Sequence, residues 1–299
     1  MLDPKLKTLL MVAKTFNFTH AAEQLALTQP AVSHHINKLE EELGVKIFNR
    51  NKGKLKLTSD GEIVVMYAKR MKSLYNKLQQ NLIDEKRHIT SLTVGITHTA
   101  ESNFVAEVLA KCCNLNKGLS IKIITESINN LYNMLINYEI DLAIVEGKIN
   151  DTDINSLLLD TDYLVLVVAN NNPLSKKNMV TINDIKKEKM ILRLPNSGTR
   201  NLFIAHLESL NISIKEFNVI LEVDNIATIK DLVRQGFGIS ILARSVCLDE
   251  LKNGEITVLP IENLSMVRET SILYHKDFNN KEILQAITKI YNETAKVYK

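Results

Sequence analysis

The sequence has no tryptophan, only three cysteines and five prolines, and an aromatic content of 5%. Each shortage excludes something. Cys112, Cys113 and Cys247 form an odd, sparse set that argues against a disulfide framework. Two of the three are adjacent, so their side chains diverge, and no Cys/His spacing matches a structural zinc site. No metal and no cofactor are therefore expected. With so few aromatic rings, a stacking pocket for a large apolar ligand is not expected either. No apolar run approaches the roughly 18 residues of a membrane span; the longest, Leu164 to Ala169, is strand-sized. The start, Met1-Leu2-Asp3-Pro4-Lys5, lacks the basic-then-apolar layout of a signal peptide, so cytoplasmic residence without a membrane is expected. There is no Walker loop, no Gly-x-Ser-x-Gly elbow and no complete dinucleotide fingerprint, which weighs against an enzyme.

What remains is the balance of an ordinary globular protein, 45% hydrophobic and 24% charged over 299 residues. That length accommodates two or three domains. The net charge of +3 conceals an asymmetry. Residues 1–90 carry 15 lysines and arginines against 9 carboxylates, whereas residues 91–299 carry 22 against 25. A basic front end on a mildly acidic body points to an anionic partner for the front end alone, with nucleic acid the obvious candidate.

Asp3 caps a first helix with Pro4 just inside it. Leu6, Leu9, Leu10, Ala13 and Phe16 follow at helical spacing. Thr19 is the expected cap of a second helix, from His20 to about Leu25, and Thr28 that of a third, with Pro30 in its first turn. On a helical wheel Val32, Ile36, Leu39 and Leu43 of the third helix share one face. Pro30, Ser33, His34, Asn37 and Lys38 fall largely opposite, with Gln29 and Glu40 at the flanks. A short polar face of this kind suits base edges in a major groove. Two short helices and a tight turn, the second helix with a polar face, are the layout of a helix-turn-helix. Val45 to Arg50 and Lys54 to Leu57 then alternate around Asn51-Lys52-Gly53, a hairpin turn. Five basic residues and no acidic one lie between Lys46 and Lys56, so Arg50, Lys52 and Lys54 are placed to touch phosphates.

These stretches carry a resemblance. Phe16-Asn17-Phe18-Thr19-His20-Ala21-Ala22-Glu23-Gln24-Leu25, then Thr28-Gln29-Pro30-Ala31-Val32-Ser33, then Leu39-Glu40-Glu41-Glu42-Leu43-Gly44-Val45 resemble the winged helix-turn-helix of LysR-type transcriptional regulators. Phe48-Asn49-Arg50 and Leu57-Thr58-Ser59-Asp60-Gly61 continue the match. The resemblance implies that Gln29, Pro30, Ser33 and position 34 meet DNA. Position 34 is very often arginine in that family and is His34 here, which removes an expected guanine contact.

Thr58 or Ser59 caps a long helix, with Glu62 three residues after Ser59 as in a capping box. Val64, Ala68, Met71, Tyr75, Leu78 and Leu82 follow at spacings of 4, 3, 4, 3 and 4, a heptad seam. The seam predicts pairing of two chains, as the linker helix of the family implies; a single amphipathic helix covering its own domain is the alternative. Lys86-Arg87-His88 closes it as a polar hinge.

Strand-like and helical patterns then alternate. Leu92 to Ile96, Leu119 to Thr125 and Asp141 to Val145 read as strands around helices at Phe104 to Cys112 and Ile128 to Ile136, a βαβαβ run that predicts a parallel sheet. Further strands are expected at Tyr163–Ala169, Met190–Arg193, Phe217–Val223, Gly238–Ala243 and Ser271–Tyr274, with helices from about Thr181, Thr199, Ile226 and Lys281. The order resembles the effector domain of the same family, which looks like a periplasmic binding protein. The expected organisation is therefore α/β: a winged helix-turn-helix at 1–58, a linker helix and hinge at 59–90, and a two-lobed effector-binding domain at 91–299. Lobe I would take about 91–161 and 267–299, and lobe II about 162–266.

Two strand-to-helix loops carry chemistry. Thr97-His98-Thr99 and Pro195-Asn196-Ser197-Gly198-Thr199-Arg200 offer hydroxyls and helix N-terminal N–H groups, which suit an anion and equally serve as caps. The family resemblance implies that Thr97, His98, Thr99, Ser197, Gly198, Thr199 and Ile226 line an effector pocket, and the Thr-His-Thr triplet resembles that of members sensing sulfur metabolites. Glu146 ends a strand at the cleft mouth, to meet a ligand or cap the lobe. Cys112 and Cys113 share a helix, one of them facing inward.

The expected function is a LysR-type regulator that binds a double-stranded DNA operator as a homodimer or homotetramer. A small anionic or acidic effector and RNA polymerase are its other expected partners. An α/β enzyme with an appended DNA-binding module, and a regulator with a vestigial pocket, are the rival readings.

Overall fold

The computed structural model describes residues 3–51, 54–147, 149, 151–195 and 197–298. Contacts divide the chain into two units, Met1–His88 with Ile136–Glu139, and Ile89–Leu135 with Ile140–Lys299.

The first unit opens with three helices, α1 (Pro4–Thr15), α2 (Phe18–Leu25) and α3 (Gln29–Leu43). Asp3 caps α1 by accepting from the Lys5 N–H, and Thr28 caps α3 by accepting from that of Ala31. The cap of α2 is Asn17, not Thr19: its side chain accepts from the N–H groups of Thr19 and His20, which starts the helix two residues early. Leu9, Val12, Ala21, Ala22, Val32, Ile36 and Leu39 close one core. Leu43 is exposed rather than on that face, because it stands in the last turn, just before the left-handed Gly44 ends the helix. A two-stranded antiparallel hairpin follows, β1 (Phe48–Asn51) and β2 (Lys54–Leu57), with Asn51 opposite Lys54. Lys52 and Gly53, expected at its tip, lie outside the described residues.

Helix α4 (Ser59–Arg87) is capped by Thr58, whose hydroxyl accepts from the Gly61 N–H. Its first turns pack on the head. Val65 and Ala68 (1% exposed) belong to the head core, and Val64 packs against it. This corrects the expected seam. The apolar side chains that stay exposed are Ile83 and a stripe of Ile63, Tyr67, Met71, Leu74, Leu78 and Leu82, at spacings of 4, 4, 3, 4 and 4. Tyr75 is half-buried. The head takes the face carrying Val64 and Ala68, so the open stripe begins one position earlier.

The second unit holds β3 (Thr90–Ile96), α5 (His98–Glu101), α6 (Val105–Leu115), β4 (Leu119–Thr125), α7 (Ile128–Ile136), β5 (Leu142–Glu146), β6 (Ile154–Ala169), α8 (Ile182–Lys186), β7 (Lys189–Arg193), α9 (Gly198–Ser209), β8 (Asn218–Val223), α10 (Ile226–Arg234), β9 (Ser240–Ala243), α11 (Leu248–Lys252), β10 (Ile256–Leu259), β11 (Val267–His275) and α12 (Lys281–Tyr298). Strand β3 pairs in parallel with both β4 and β5, as the βαβαβ pattern predicts. Strand β6 was legible only in its second half. It runs for 16 residues, and its first half, of mixed polar and apolar residues, pairs antiparallel with β11 while its apolar second half pairs with β9 and β10. One strand therefore crosses between two cores. One core is built on β3, α6, β5 and α12, the other on the end of β6 with β7, α9, α10 and β9. Strand β11 makes the return crossing, and Arg268 near its start is in register with Asp162 of β6. No helix among the described residues is long and apolar enough to cross a membrane.

Candidate functional site

The head presents α3 as its polar surface. Thr28, Gln29, Pro30, His34, Asn37 and Lys38 are exposed, and Ser33 is half-buried. Gln29 donates to the Ser33 hydroxyl at 2.9 Å, so these two side chains already form a hydrogen-bonded pair at the start of the helix. In the hairpin Leu55 and Leu57 pack on the core while Lys54 and Lys56 face water. Arg50 holds a place in β1, but its side chain and Lys52 lie outside the described residues.

Glu40, read from the wheel as a flanking residue, turns out to anchor the hairpin. It is buried, and it accepts from the Ile47 N–H at 2.8 Å and from Lys46 at 2.5 Å. Burial alone would push its carboxyl up, yet Lys46 and the N–H groups of Ile47 and Phe48 hold it below its ordinary 4.5. Stability from this contact is therefore present above pH 4.5 and is lost as the pH falls through the lower folded value. Glu40→Gln should lower head stability by about 1–3 kcal/mol at neutral pH. It should also flatten that acid limb, read by circular dichroism against pH; an unchanged limb would refute the role.

In the body, a cleft of about 230 Å³ opens where the two lobes face each other. Thr97, His98, Thr99 and Glu146 reach it from lobe I, and Ser197, Gly198 and Thr199 from lobe II. Thr97 and Glu146 follow or end the parallel strands β3 and β5, and Arg193 ends β7. Carboxyl ends of parallel strands are where α/β folds place ligands. Asn196 lies outside the described residues. Ile226 does not line the cleft. Its side chain is 3% exposed in the lobe II core, because the capping Asn225 turns the chain there and leaves Asp224 at the rim.

Two hydroxyls are already engaged. Thr97 donates to Glu146 Oε2 at 2.5 Å and caps α5 by accepting from the Ala100 N–H. Ser197 caps α9 by accepting from the Arg200 N–H. The loop opens onto helix α5, a separate turn of only four residues ahead of the helix expected from Phe104, so it offers little of the N-terminal anion site expected on that side. The space in front of Gly198 is open: a Cβ there would meet nothing within 4 Å.

What sequence reasoning missed is a pair of buried arginines on the cleft lining. Arg193 is 3% exposed and donates to Asp224 at 3.0 Å. Arg268 is 9% exposed and donates to Thr199 Oγ1 at 3.3 Å, and its Nη2 stands 3.8 Å from Asp162. Among the described residues, Arg193 Nε, Arg268 Nε and Nη2, and Glu146 Oε1 are buried without a hydrogen-bond partner. Burial lowers the Arg193 pKa from its ordinary value despite Asp224. Burial also raises that of Glu146 against the pull of Arg268 and Thr97. The only sequence signal was an arginine closing an apolar strand at Met190–Arg193.

The cysteines carry no site of this kind. Cys112 is buried in the lobe I core, and burial pushes the Cys247 thiol up to about 12, so neither is a ready thiolate.

Residues 4–62 match the family model described as "Bacterial regulatory helix-turn-helix protein, lysR family", and residues 86–295 that of the "LysR substrate binding domain". The HTH-type transcriptional regulator CysL of Bacillus subtilis is 28% identical over 95% of this chain and 95% of its own length. The HTH-type transcriptional regulator CfxR of Cupriavidus necator is 31% identical over 88% of this chain and 82% of its own. The crystal structure of full-length CbnR complexed with its target DNA has the same fold at a TM-score of 0.66 and 18% identity, covering 97% of this chain and 98% of that one.

Proposed function

This chain belongs to the LysR family of transcriptional regulators, a regulator rather than an enzyme, and we propose that its interlobe cleft binds a small anionic or acidic effector. The head binds DNA and the body is its effector-binding domain. Two chains pair through the exposed stripe of α4, as a dimer or dimer of dimers in the cytoplasm, and a ligand-driven change between the lobes alters how the paired heads meet an operator.

The observation that carries the effector reading is the pair of buried arginines with unpaired N–H groups. Each faces one carboxylate, Asp224 or Asp162, yet keeps N–H groups without an acceptor, and a carboxylate, sulfonate or sulfate would supply charge-assisted hydrogen bonds to both. Thr99, Ser197 and Thr199 add hydroxyls from either lobe. Thr99→Val keeps the shape and deletes one of them. It should weaken or abolish the thermal shift given by small acids while leaving ligand-free unfolding unchanged; a wild-type response would count against the assignment.

On the head, Ser33→Ala and Gln29→Ala should each remove about 1–3 kcal/mol of operator preference, read as the ratio of operator to random-DNA affinity. Lys54→Ala should instead weaken both DNAs alike and reduce the salt slope by about 1. Equal losses on both DNAs for the α3 variants would refute base contact by that face.

A further inference from the structure

The cleft contains more than an anion cradle, and its charges do not sum to a simple positive pocket. Arg193 and Arg268 line it together with three carboxylates, Glu126, Glu146 and Asp224. Asp224 already engages Arg193, and the Asn130 side chain donates to Glu126. Glu146 is different. One oxygen takes the Thr97 hydroxyl, and the other, shielded from solvent, has no partner. An unpaired acceptor therefore shares the cleft lining with the unpaired donors Arg193 Nε and Arg268 Nε.

We infer that the effector carries a hydrogen-bond donor, a hydroxyl or an ammonium, beside its anionic group, and that Glu146 is the residue that selects for it. This deepens the anionic reading above and rests on it. A bare anion would satisfy the arginines and set its own oxygens against Glu146 Oε1, two acceptors with no proton between them. A hydroxy acid, an amino acid or an aminosulfonate satisfies both ends at once. A site built to bond a donor rejects the analogue that lacks it, since the buried acceptor is then left bare. The groups facing Glu146 fit this role. Thr97 faces it from the β3 end, Arg268 from β11 and Asp162 from β6. Burial and Asp162 raise its pKa while Arg268 and Thr97 lower it, so a ligand donor would stabilise the carboxylate form.

The test uses the full-length protein and matched pairs of probes: lactate and serine against propionate, taurine against ethanesulfonate, and sulfate alone. Binding is read by thermal shift and by NMR titration. The donor-bearing member of each pair should bind at least about tenfold more tightly to the wild type. Glu146→Leu should remove that preference. Glu146→Gln, which keeps the shape and an acceptor, should restore it for lactate but not for the ammonium probes. If the plain acids bind as tightly, and more tightly as the pH falls, protonated Glu146 is itself the donor; the anionic reading then stands and this inference is overturned. A preference that survives Glu146→Leu overturns it as well. If no probe in the series binds, sulfate included, the anionic reading falls and this inference with it.

Discussion

Gly61→Ala is expected to abolish folding of the head. A Cβ on Gly61 would stand 2.0 Å from the Ile47 carbonyl oxygen and 2.9 Å from its carbon. That oxygen cannot step aside, because it accepts the Thr58 N–H at 3.0 Å, and Thr58 in turn caps the helix. The wing and the long helix are thus joined backbone to backbone at a spot where only glycine fits. Overpacking against side chains typically costs about 1–3 kcal/mol, occasionally more, and a rigid backbone obstacle belongs at or above the top of that range. A small three-helix head has little reserve against such a loss. Circular dichroism should show a lost or strongly lowered head transition, and gel shifts should show no operator complex. A variant that melts and binds DNA as the wild type does would mean the helix does not approach the wing so closely.

The double variant Met71→Glu, Leu78→Glu should separate the paired chains and cost about 10²–10⁴ in operator affinity, the advantage that linking two DNA-reading heads confers. Both residues stand on the exposed stripe, where pairing would set like charges against each other. Sedimentation reads the association state and a two-half-site operator reads the affinity. Ala68→Glu makes the contrast. Ala68 is 1% exposed in the head core, so that change should destabilise the head itself rather than the pairing. An unchanged assembly and unchanged operator affinity for the double variant would leave the stripe without its proposed role.

The sequence by itself determined the head. Asp3, Thr28 and Thr58 cap their helices by bonds to residues two or three positions on, and β1 pairs β2 across a hairpin. Such signals are short-range, so they stand in the letters. The parallel core of lobe I was legible for a similar reason: β5 is an apolar run buried on both faces, while apolar and polar residues alternate along much of β3 and the less buried β4, all patterns that stand in neighbouring residues. Tertiary structure decided the rest. The face of α4 left open depended on which side the head had already covered, and a heptad pattern cannot state that. The first half of β6 mixes Leu157-Leu158-Leu159 with polar residues in no regular alternation, and its strand is fixed by pairing with β11, more than 100 residues later. The cleft shows the limit most clearly. Arg193 and Arg268 lie 75 positions apart and line the same cleft only because β6 carries the chain out of one lobe and β11 brings it back. Their burial, and the unpaired Glu146 oxygen that lines the cleft with them, follow from long-range packing, for which a local pattern carries no information.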